Sequence, residues 1–169
     1  MPQGKAKREK WDMRTWICFT LVATAVLYGA RSLVIEHAPK IVYSESESLS
    51  HSVFIVSSLD RPLKRGDYVT FSVPGNKYMG NVSVTKQIVG VGGDTIEIVD
   101  RVVFVNGVEV GLAKPVSRAG EELFVLAETV VPEGRYFVAG THKDSYDSRY
   151  ASFGLIGNQN ISGRAEPIF

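Results

Sequence analysis

The period of a β-strand is clearest in Asn81-Val82-Ser83-Val84-Thr85-Lys86-Gln87-Ile88-Val89, where apolar and polar residues alternate. Val82, Val84 and Ile88 share one face of this predicted strand, and Lys86 falls in phase with them. A lysine on an inward face is unusual, because removal from water disfavours the ammonium ion. The segment therefore predicts a buried lysine, which must snorkel to water, pair with a carboxylate, or lose its proton and do chemistry.

The chain after residue 52 predicts further short strands separated by turns. The candidates, rich in β-branched and aromatic residues, are 53–56, 68–73, 82–91, 95–98, 102–105, 108–110, 123–131 and 136–138. Asn106-Gly107 is a strong hairpin signal, and residues 154–169 are expected to add one or two short strands at most. No segment after residue 36 has a helical period. The predicted fold is mostly β, an antiparallel sheet or partly open barrel.

A single N-terminal helix is expected to cross a membrane. Residues 16–35 are interrupted by one charge, Arg31, and 20 helical residues at about 1.5 Å each span the ~30 Å hydrocarbon layer. Residues 1–14 have a local net charge of +3, and basic flanks stay in the cytoplasm. We therefore expect a cytoplasmic segment at 1–15, an uncleaved signal anchor at 16–35 and an exported β-rich domain at 36–169. A cleaved signal ending at residues 23–25 leaves too short an apolar core.

Composition excludes several classes of function. The formal net charge is +1, so no overall attraction to nucleic acid is expected. Cys18 is the one cysteine and lies within the predicted helix, which excludes an intramolecular disulfide. Three scattered histidines make no metal-ligand set, and the glycines at 90–93 precede a strand rather than a phosphate-binding helix. We expect no cofactor and no metal.

A serine-rich segment follows the predicted anchor and runs Ser44-Glu45-Ser46-Glu47-Ser48-Leu49-Ser50-His51-Ser52. A flexible linker has such a composition, but a serine hydroxyl also becomes a nucleophile when a base takes its proton. A neutral lysine can be that base, although at a pKa of about 10.4 only roughly one lysine in 2,500 is neutral at pH 7. Burial that lowers the pKa of Lys86 by about three units would enlarge that fraction, at a cost of about 4 kcal/mol. Serine and lysine together predict a hydrolase dyad.

Four blocks of the sequence, taken in order, resemble the type I signal peptidases, in the conjugation-associated TraF-type branch that processes pilin precursors. The blocks are Ser48-Leu49-Ser50-His51-Ser52-Val53-Phe54, Leu63-Lys64-Arg65-Gly66-Asp67-Tyr68-Val69-Thr70-Phe71, Lys86-Gln87-Ile88-Val89-Gly90-Val91-Gly92-Gly93-Asp94-Thr95-Ile96, and Asp144-Ser145-Tyr146-Asp147-Ser148-Arg149-Tyr150 with Gly154. The resemblance implies a fold of the signal peptidase type. It also implies a single-pass protein of the bacterial cytoplasmic membrane, with its catalytic domain on the periplasmic or outer side.

The resemblance assigns Ser48 as the nucleophile and Lys86 as the general base. The Ser46 hydroxyl and the Ser48 backbone N–H would form the oxyanion hole. Because serines recur at every second position, the assignment could shift by two residues, for example to Ser50. We choose Ser48 because Leu49 takes the place of the family's methionine.

The last block carries the supporting residues that the resemblance implies. Ser145 would hydrogen-bond to the lysine and orient it, and Asp147 and Arg149 would form a supporting ion pair near the site. The segment Gly140-Thr141-His142-Lys143 differs from the family's Gly-Asp-Asn-Arg, so we expect the geometry of this loop to differ from that of the family.

The expected function is a membrane-bound serine endopeptidase that cleaves signal or leader peptides from exported precursors, in particular a pilin precursor of a conjugative transfer system. Its partners would be that precursor, held extended near residues 46–50 and 82–86, the lipid bilayer, and other conjugation or secretion components. A Ser-His-Asp arrangement through His51 or His142 is disfavoured, because a histidine three residues from its serine in an extended loop points elsewhere. The alternative from another class is a non-catalytic, membrane-anchored β module that assists pilus or secretion assembly.

Overall fold

The computed structural model describes residues 12–37, 40–43, 49, 53–73, 76, 78 and 82–168, in two compact units, Met1–Ala38 and Pro39–Phe169. The first unit contains the helix α1, Met13–His37. Its window Met13–Arg31 is long and apolar enough to cross a membrane by length and composition. The predicted N-terminal helix is therefore confirmed.

The second unit is built from antiparallel strands. In chain order the strands are β1 Lys40–Tyr43, β2 Val53–Ser57, β3 Tyr68–Ser72, β4 Ser83–Gly90, β5 Thr95–Val99, β6 Val102–Val105, β7 Val108–Leu112, β8 Thr129–Val130, β9 Arg135–Ala139, β10 Ile156–Gly157 and β11 Ile161–Pro167, with a short 3₁₀ turn at Asn158–Asn160. Within the described ranges, seven strands form a large sheet in the order β1-β2-β11-β3-β4-β9-β10, and four form a small sheet in the order β7-β6-β5-β8. The prediction of a mostly β, antiparallel fold is confirmed.

The small sheet contains the predicted hairpin. Strands β6 and β7 pair from Val105↔Val108 outward, and the two residues between them are Asn106 and Gly107, with φ of 51° and 74°. Two left-handed residues in succession make the turn whose twist matches that of the flanking strands. Apolar residues of β3, β4, β5, β6 and β9 share one main core cluster that packs between the sheets.

The C-terminal strand is longer and more central than expected. The sequence predicted only short strands after residue 154, but β11 has seven residues and lies between β2 and β3 in the large sheet. Strand β1 was not predicted at all and forms an edge beside β2. Pairing with strands about 100 residues earlier stabilises β11, whereas β1 is stabilised by pairing with the next strand, β2; neither depends on local alternation.

The strand predicted at 123–131 is wrong except for β8 at its end. Leu123 N donates to Pro115 O, and Leu126 N donates to Arg149 O at 2.9 Å, so this segment bonds to loops rather than to a continuous ladder. Leu123 is nevertheless buried in the main core. The apolar residues of segment 123–131 therefore suggested a strand, although most of this segment is a loop packed on the core.

The faces of β4 differ partly from the prediction. Ile88 is fully buried, but Val82 is 57% exposed and lies before the strand begins, so it does not pack inward as expected. On the opposite face Thr85 is buried as well, because its hydroxyl shares a 2.9 Å hydrogen bond with Thr70 on β3. Strand β4 is thus covered on both faces in its central part.

Gly163 in β11 tests this arrangement. A Cβ at this position would lie 2.5 Å from Ser57 O and 2.6 Å from Val56 Cγ1, both on the neighbouring strand β2. We expect Gly163→Ala to lower the free energy of unfolding by about 1–3 kcal/mol, because the backbones must separate. Thermal and urea unfolding of the full chain in detergent, followed by circular dichroism, measures the change.

Ser162→Ala is the matched control, since Ser162 is exposed beside Gly163. Equal stability of the two variants would contradict the close approach of β11 and β2.

Candidate active site

Lys86 is buried at the centre of the large sheet. It lies on β4, its cross-strand neighbour on β3 is the fully buried Val69, and only 5% of its own surface is exposed. Lys86 points to the same face of β4 as the buried Ile88, because residues two positions apart in a strand share a face. The predicted burial of the lysine is confirmed.

The amine of Lys86 has a defined partner. Its Nζ donates a 2.8 Å hydrogen bond to the Oγ of Ser145, which is buried and lies 59 residues further along the chain. Ser145 is itself held in a turn by the bond from its backbone N to His142 O, 3.0 Å. The structure thus brings together the lysine and the serine that the resemblance paired.

Asp147 and Arg149 form a buried ion pair beside this serine. Arg149 Nε lies 2.8 Å from Asp147 Oδ1, and Nη2 lies 2.9 Å from Oδ2. The carboxylate also accepts bonds from the backbone N of Gly140, at 3.0 Å, and of Arg149, at 3.2 Å. A buried pair is tolerated when its remaining lone pairs and protons have partners, as they have here.

The guanidinium of Arg149 also bonds to two backbone carbonyls. Its Nη2 donates to Ser145 O at 3.0 Å, and its Nη1 donates to Leu112 O on β7 at 3.2 Å. Burial tends to lower the pKa of Arg149, but the hydrogen bonds and charge of Asp147 outweigh it, and the net pKa is raised. Arg149 is therefore a permanent cation that connects the small sheet to the loop carrying Ser145.

Burial sets the protonation of Lys86. It lowers the pKa of the amine from 10.5 to about 8, an effect that the negative charge of Asp147 opposes and the positive charge of Arg149 reinforces. At such a pKa an appreciable fraction of the amine is neutral in the physiological range. A neutral lysine is able to accept a proton, as a general base must.

The serines predicted as nucleophile and oxyanion-hole donor, Ser48 and Ser46, lie outside the described residues, as do Ser50 and His51. Leu49 between them is described: it is buried with Phe54, Val56 and Ala165 in a second apolar cluster. His142 Nδ1 accepts a 3.1 Å bond from Asp144 N and so takes part in the turn before Ser145.

Sequence reasoning missed the partners that hold the site through their backbone. Gly140 N and Leu112 O bond to the Asp147–Arg149 pair. Backbone groups are the same in every residue, so the sequence does not indicate such contacts. Asn76 was missed as well: it is buried, and its Nδ2 donates to Ser152 O at 3.1 Å.

One edge of β4 near the lysine has no partner strand among the described residues. Strand β3 pairs with β4 from Ser83 to Gln87, whereas β9 pairs on the other side only from Gln87 to Gly90. Backbone groups on an unpaired edge can accept an added strand. The stretch beside Lys86 therefore has the geometry for binding an extended peptide.

Comparisons with known proteins agree with this arrangement. The family model described as signal peptidase, peptidase S26, matches residues 13–169. The chain is 31% identical over 181 residues to signal peptidase I P of Bacillus subtilis subsp. natto, covering 98% of this chain and 93% of that protein. It is 29% identical over 174 residues to the conjugal transfer protein TraF of Agrobacterium fabrum, covering 92% of this chain and 96% of that protein.

A crystal structure of a signal peptidase I from Enterococcus faecalis V583 is also similar, with a TM-score of 0.38 and 27% sequence identity, covering 61% of this chain and 96% of that one.

The family model spans both the apolar helix and the β-rich unit with its buried lysine, and its description makes the chain a hydrolase. The chain belongs to the signal peptidase, peptidase S26, family. It is accordingly a serine endopeptidase that acts on signal peptides of exported precursor proteins, and this part of the predicted function is confirmed.

Lys86→Met tests the energetic cost of the buried amine. The folded-state pKa of about 8 lies below the unfolded value of 10.5, so between these values the unfolded chain binds more protons and stability rises with pH. The destabilisation is full below pH 8 and disappears above 10.5. At pH 7 we expect Lys86→Met to raise the free energy of unfolding by roughly 1–3 kcal/mol, a gain that shrinks as pH rises.

Urea unfolding of the full chain in detergent at pH 7 and at pH 10.5 measures this difference. Lys64→Met is the control, since Lys64 is exposed and its replacement is expected to change stability by less than about 0.5 kcal/mol. A Lys86→Met variant that is less stable than the parent at pH 7 would contradict the burial of a charge.

Proposed function

We propose that this peptidase cleaves its substrate through a Ser48–Lys86 dyad. The observation that carries the proposal is the buried amine of Lys86, hydrogen-bonded to Ser145 Oγ at 2.8 Å, in a chain of the signal peptidase family. A neutral amine has two N–H groups and one lone pair. Donation of one N–H to Ser145 limits rotation of the amine and leaves the lone pair for the nucleophile.

The reaction would proceed through an acyl-enzyme. Lys86 takes the proton of Ser48 Oγ as that oxygen attacks the scissile carbonyl, and the Ser46 hydroxyl and Ser48 N–H stabilise the oxyanion. The C–N bond then breaks, and the protonated lysine gives its proton to the leaving amine. Water, deprotonated by Lys86 in turn, releases the acyl product.

Two contacts support this assignment of roles. Leu49 is adjacent to Ser48 and buried against Phe54 and Val56, which ties the chain within one residue of the proposed nucleophile. The Asp147–Arg149 pair lies under the Ser145 loop, where Arg149 Nη2 holds Ser145 O at 3.0 Å. We propose that Ser145 orients the base and that Asp147 and Arg149 support it.

The substrate would bind as an extended strand. The edge of β4 between Ser83 and Lys86, which has no partner strand among the described residues, would offer it main-chain hydrogen bonds beside the base. Small residues at the first and third positions on the acyl side of the cut would suit this site. Tethering enzyme and signal helix in one bilayer would raise their effective concentration.

The chain would cross the bacterial cytoplasmic membrane once. Residues 1–15, with their excess of basic side chains, would remain in the cytoplasm, residues 16–35 would span the bilayer, and residues 36–169 would lie on the periplasmic or outer side. The window Met13–Arg31 supports this topology by its length and apolar composition.

We further propose a pilin precursor of a conjugative system as substrate. Support comes from the conjugal transfer protein TraF of Agrobacterium fabrum, which is 29% identical over nearly its whole length. Other components of a conjugation or secretion machine would then be partners. No nucleic acid contact is proposed.

Serine replacements identify the nucleophile. We expect Ser48→Ala to abolish cleavage, with a loss of at least about 10³-fold in kcat, and Ser50→Ala to retain most of it. Cleavage of an internally quenched peptide with alanine at the first and third acyl-side positions, by the full chain in detergent, measures both. Loss of activity only in Ser50→Ala would move the nucleophile by two residues.

Incubation with precursors identifies the substrate class. We expect the full chain to cut a candidate pilin precursor at a small residue, and Lys86→Ala to leave it intact, because no base remains. Mass spectrometry of the products locates the cut and separates a hydrolysed product from a ring-closed one, which lacks one water.

A non-pilin precursor with a comparable signal peptide is the matched substrate. Cleavage of that precursor alone would contradict the pilin assignment while leaving the peptidase in place. Equal cleavage by the parent chain and Lys86→Ala would reject the dyad, and no cleavage of either precursor by the parent chain would favour the non-catalytic β module.

A further inference from the structure

We propose that Gly111, on strand β7 of the small sheet, is a positioning residue for the catalytic lysine and acts through Arg149 and Ser145. The inference rests on the proposed function, since it concerns the same base. It adds to the site a residue that touches neither the lysine nor the scissile bond.

The backbone of Gly111 is suited to glycine alone. Its φ is +136°, in a region that residues with a Cβ rarely adopt. The pairing of β6 with β7 shifts register at this point, from Val103↔Gly111 to Phe104↔Glu109, which marks a β-bulge. Bulges often redirect a strand next to an active site.

Arg149 lies directly over Gly111. A Cβ at residue 111 would meet Arg149 Nη1 at 3.1 Å, closer than ordinary van der Waals contact. The same Nη1 donates to the carbonyl of the next residue, Leu112, at 3.2 Å. The absence of a side chain at Gly111 therefore lets the guanidinium reach the β7 backbone.

The other end of the guanidinium reaches the site. Arg149 Nη2 donates to Ser145 O at 3.0 Å, and Ser145 Oγ accepts the bond from Lys86 Nζ at 2.8 Å. One rigid, planar group thus spans β7 and the Ser145 loop, so that a shift at one end is felt at the other. Two charges bear on the amine, Asp147 and Arg149, and they act in opposite directions.

A side chain at residue 111 would move Arg149 away from its two carbonyls. Ser145 would then hold the lysine less well, and the cation that favours the neutral amine would act more weakly. The first effect lowers kcat, and the second raises the pKa of Lys86. Substrate binding on β4 would be little affected, because β7 belongs to the other sheet.

Gly111→Ala tests the inference in the full chain in detergent, with the internally quenched peptide as substrate. We expect kcat to fall by about tenfold or more, KM to stay within about threefold of the parent value, and the pH profile of kcat to move to higher pH than that of the parent. The upward move distinguishes positioning of the base from general loosening of the fold.

Gly107→Ala is the matched control. Gly107 is also on the small sheet with a positive φ, +74°, but a Cβ there would have no heavy atom within 4 Å. We expect its kcat and pH profile to match the parent. A Gly111→Ala enzyme that behaves like Gly107→Ala would overturn the inference.

A double-mutant cycle tests the route. If Gly111 acts through Arg149, then Gly111→Ala adds little to the loss already caused by Arg149→Lys, whereas independent effects multiply. Multiplicative losses would overturn the inference. If circular dichroism shows that Gly111→Ala does not fold, Arg149→Lys alone is tested. It must then lower kcat and move the pH profile of kcat to higher pH, and a profile like that of the parent would overturn the inference.

Lys86→Met separates this inference from the proposed function. Full activity in Lys86→Met would reject the dyad itself. Loss of activity in Lys86→Met together with a parent-like Gly111→Ala would reject only the role of Gly111.

Discussion

An amine removed from water imposes the main constraint on this protein. Lys86 is 5% exposed, and burial lowers its pKa to about 8, so the fold carries a cost on the order of 3 kcal/mol at neutral pH. The strands around it must supply enough apolar burial to offset that cost. Buried apolar side chains next to it, such as Ile88 on β4 and Val69 on β3, contribute to that burial.

The polar groups around the lysine form one connected network rather than isolated contacts. Lys86 donates to Ser145, Arg149 holds the Ser145 carbonyl, and Asp147 neutralises Arg149 while accepting a bond from Gly140 N. A buried network of this kind is stable only when its members are satisfied. Its two charges also act on the lysine with opposite sign, so their balance helps to set how much neutral amine is present.

The two sheets contribute differently to the proposed reaction. The large sheet carries the proposed base on β4 and, within the part of the chain that the structure describes, has a free edge beside it where an extended substrate would bind. The small sheet contacts the site through the Leu112 carbonyl and, as we infer, through the open space at Gly111. The large sheet would therefore bind the substrate and supply the base, while the small sheet would hold the loop that carries Ser145 in position.

Alternation in residues 81–89 was enough to predict that Lys86 points inward, and four ordered blocks were enough to indicate the family. Both inferences use local information: the period of a strand and residue identities along it. The local pattern gave wrong predictions at three places. Strand β11 is placed by long-range pairing, residues 123–131 are placed by contacts with loops, and Val82 lies just outside the strand boundary. The meeting of Lys86 with Ser145, 59 residues away, and the bond from Arg149 to Leu112 depend on how the sheets fold together. Residue types along a chain record which groups are present, but distances between backbone carbonyls and side chains arise only when remote segments pack.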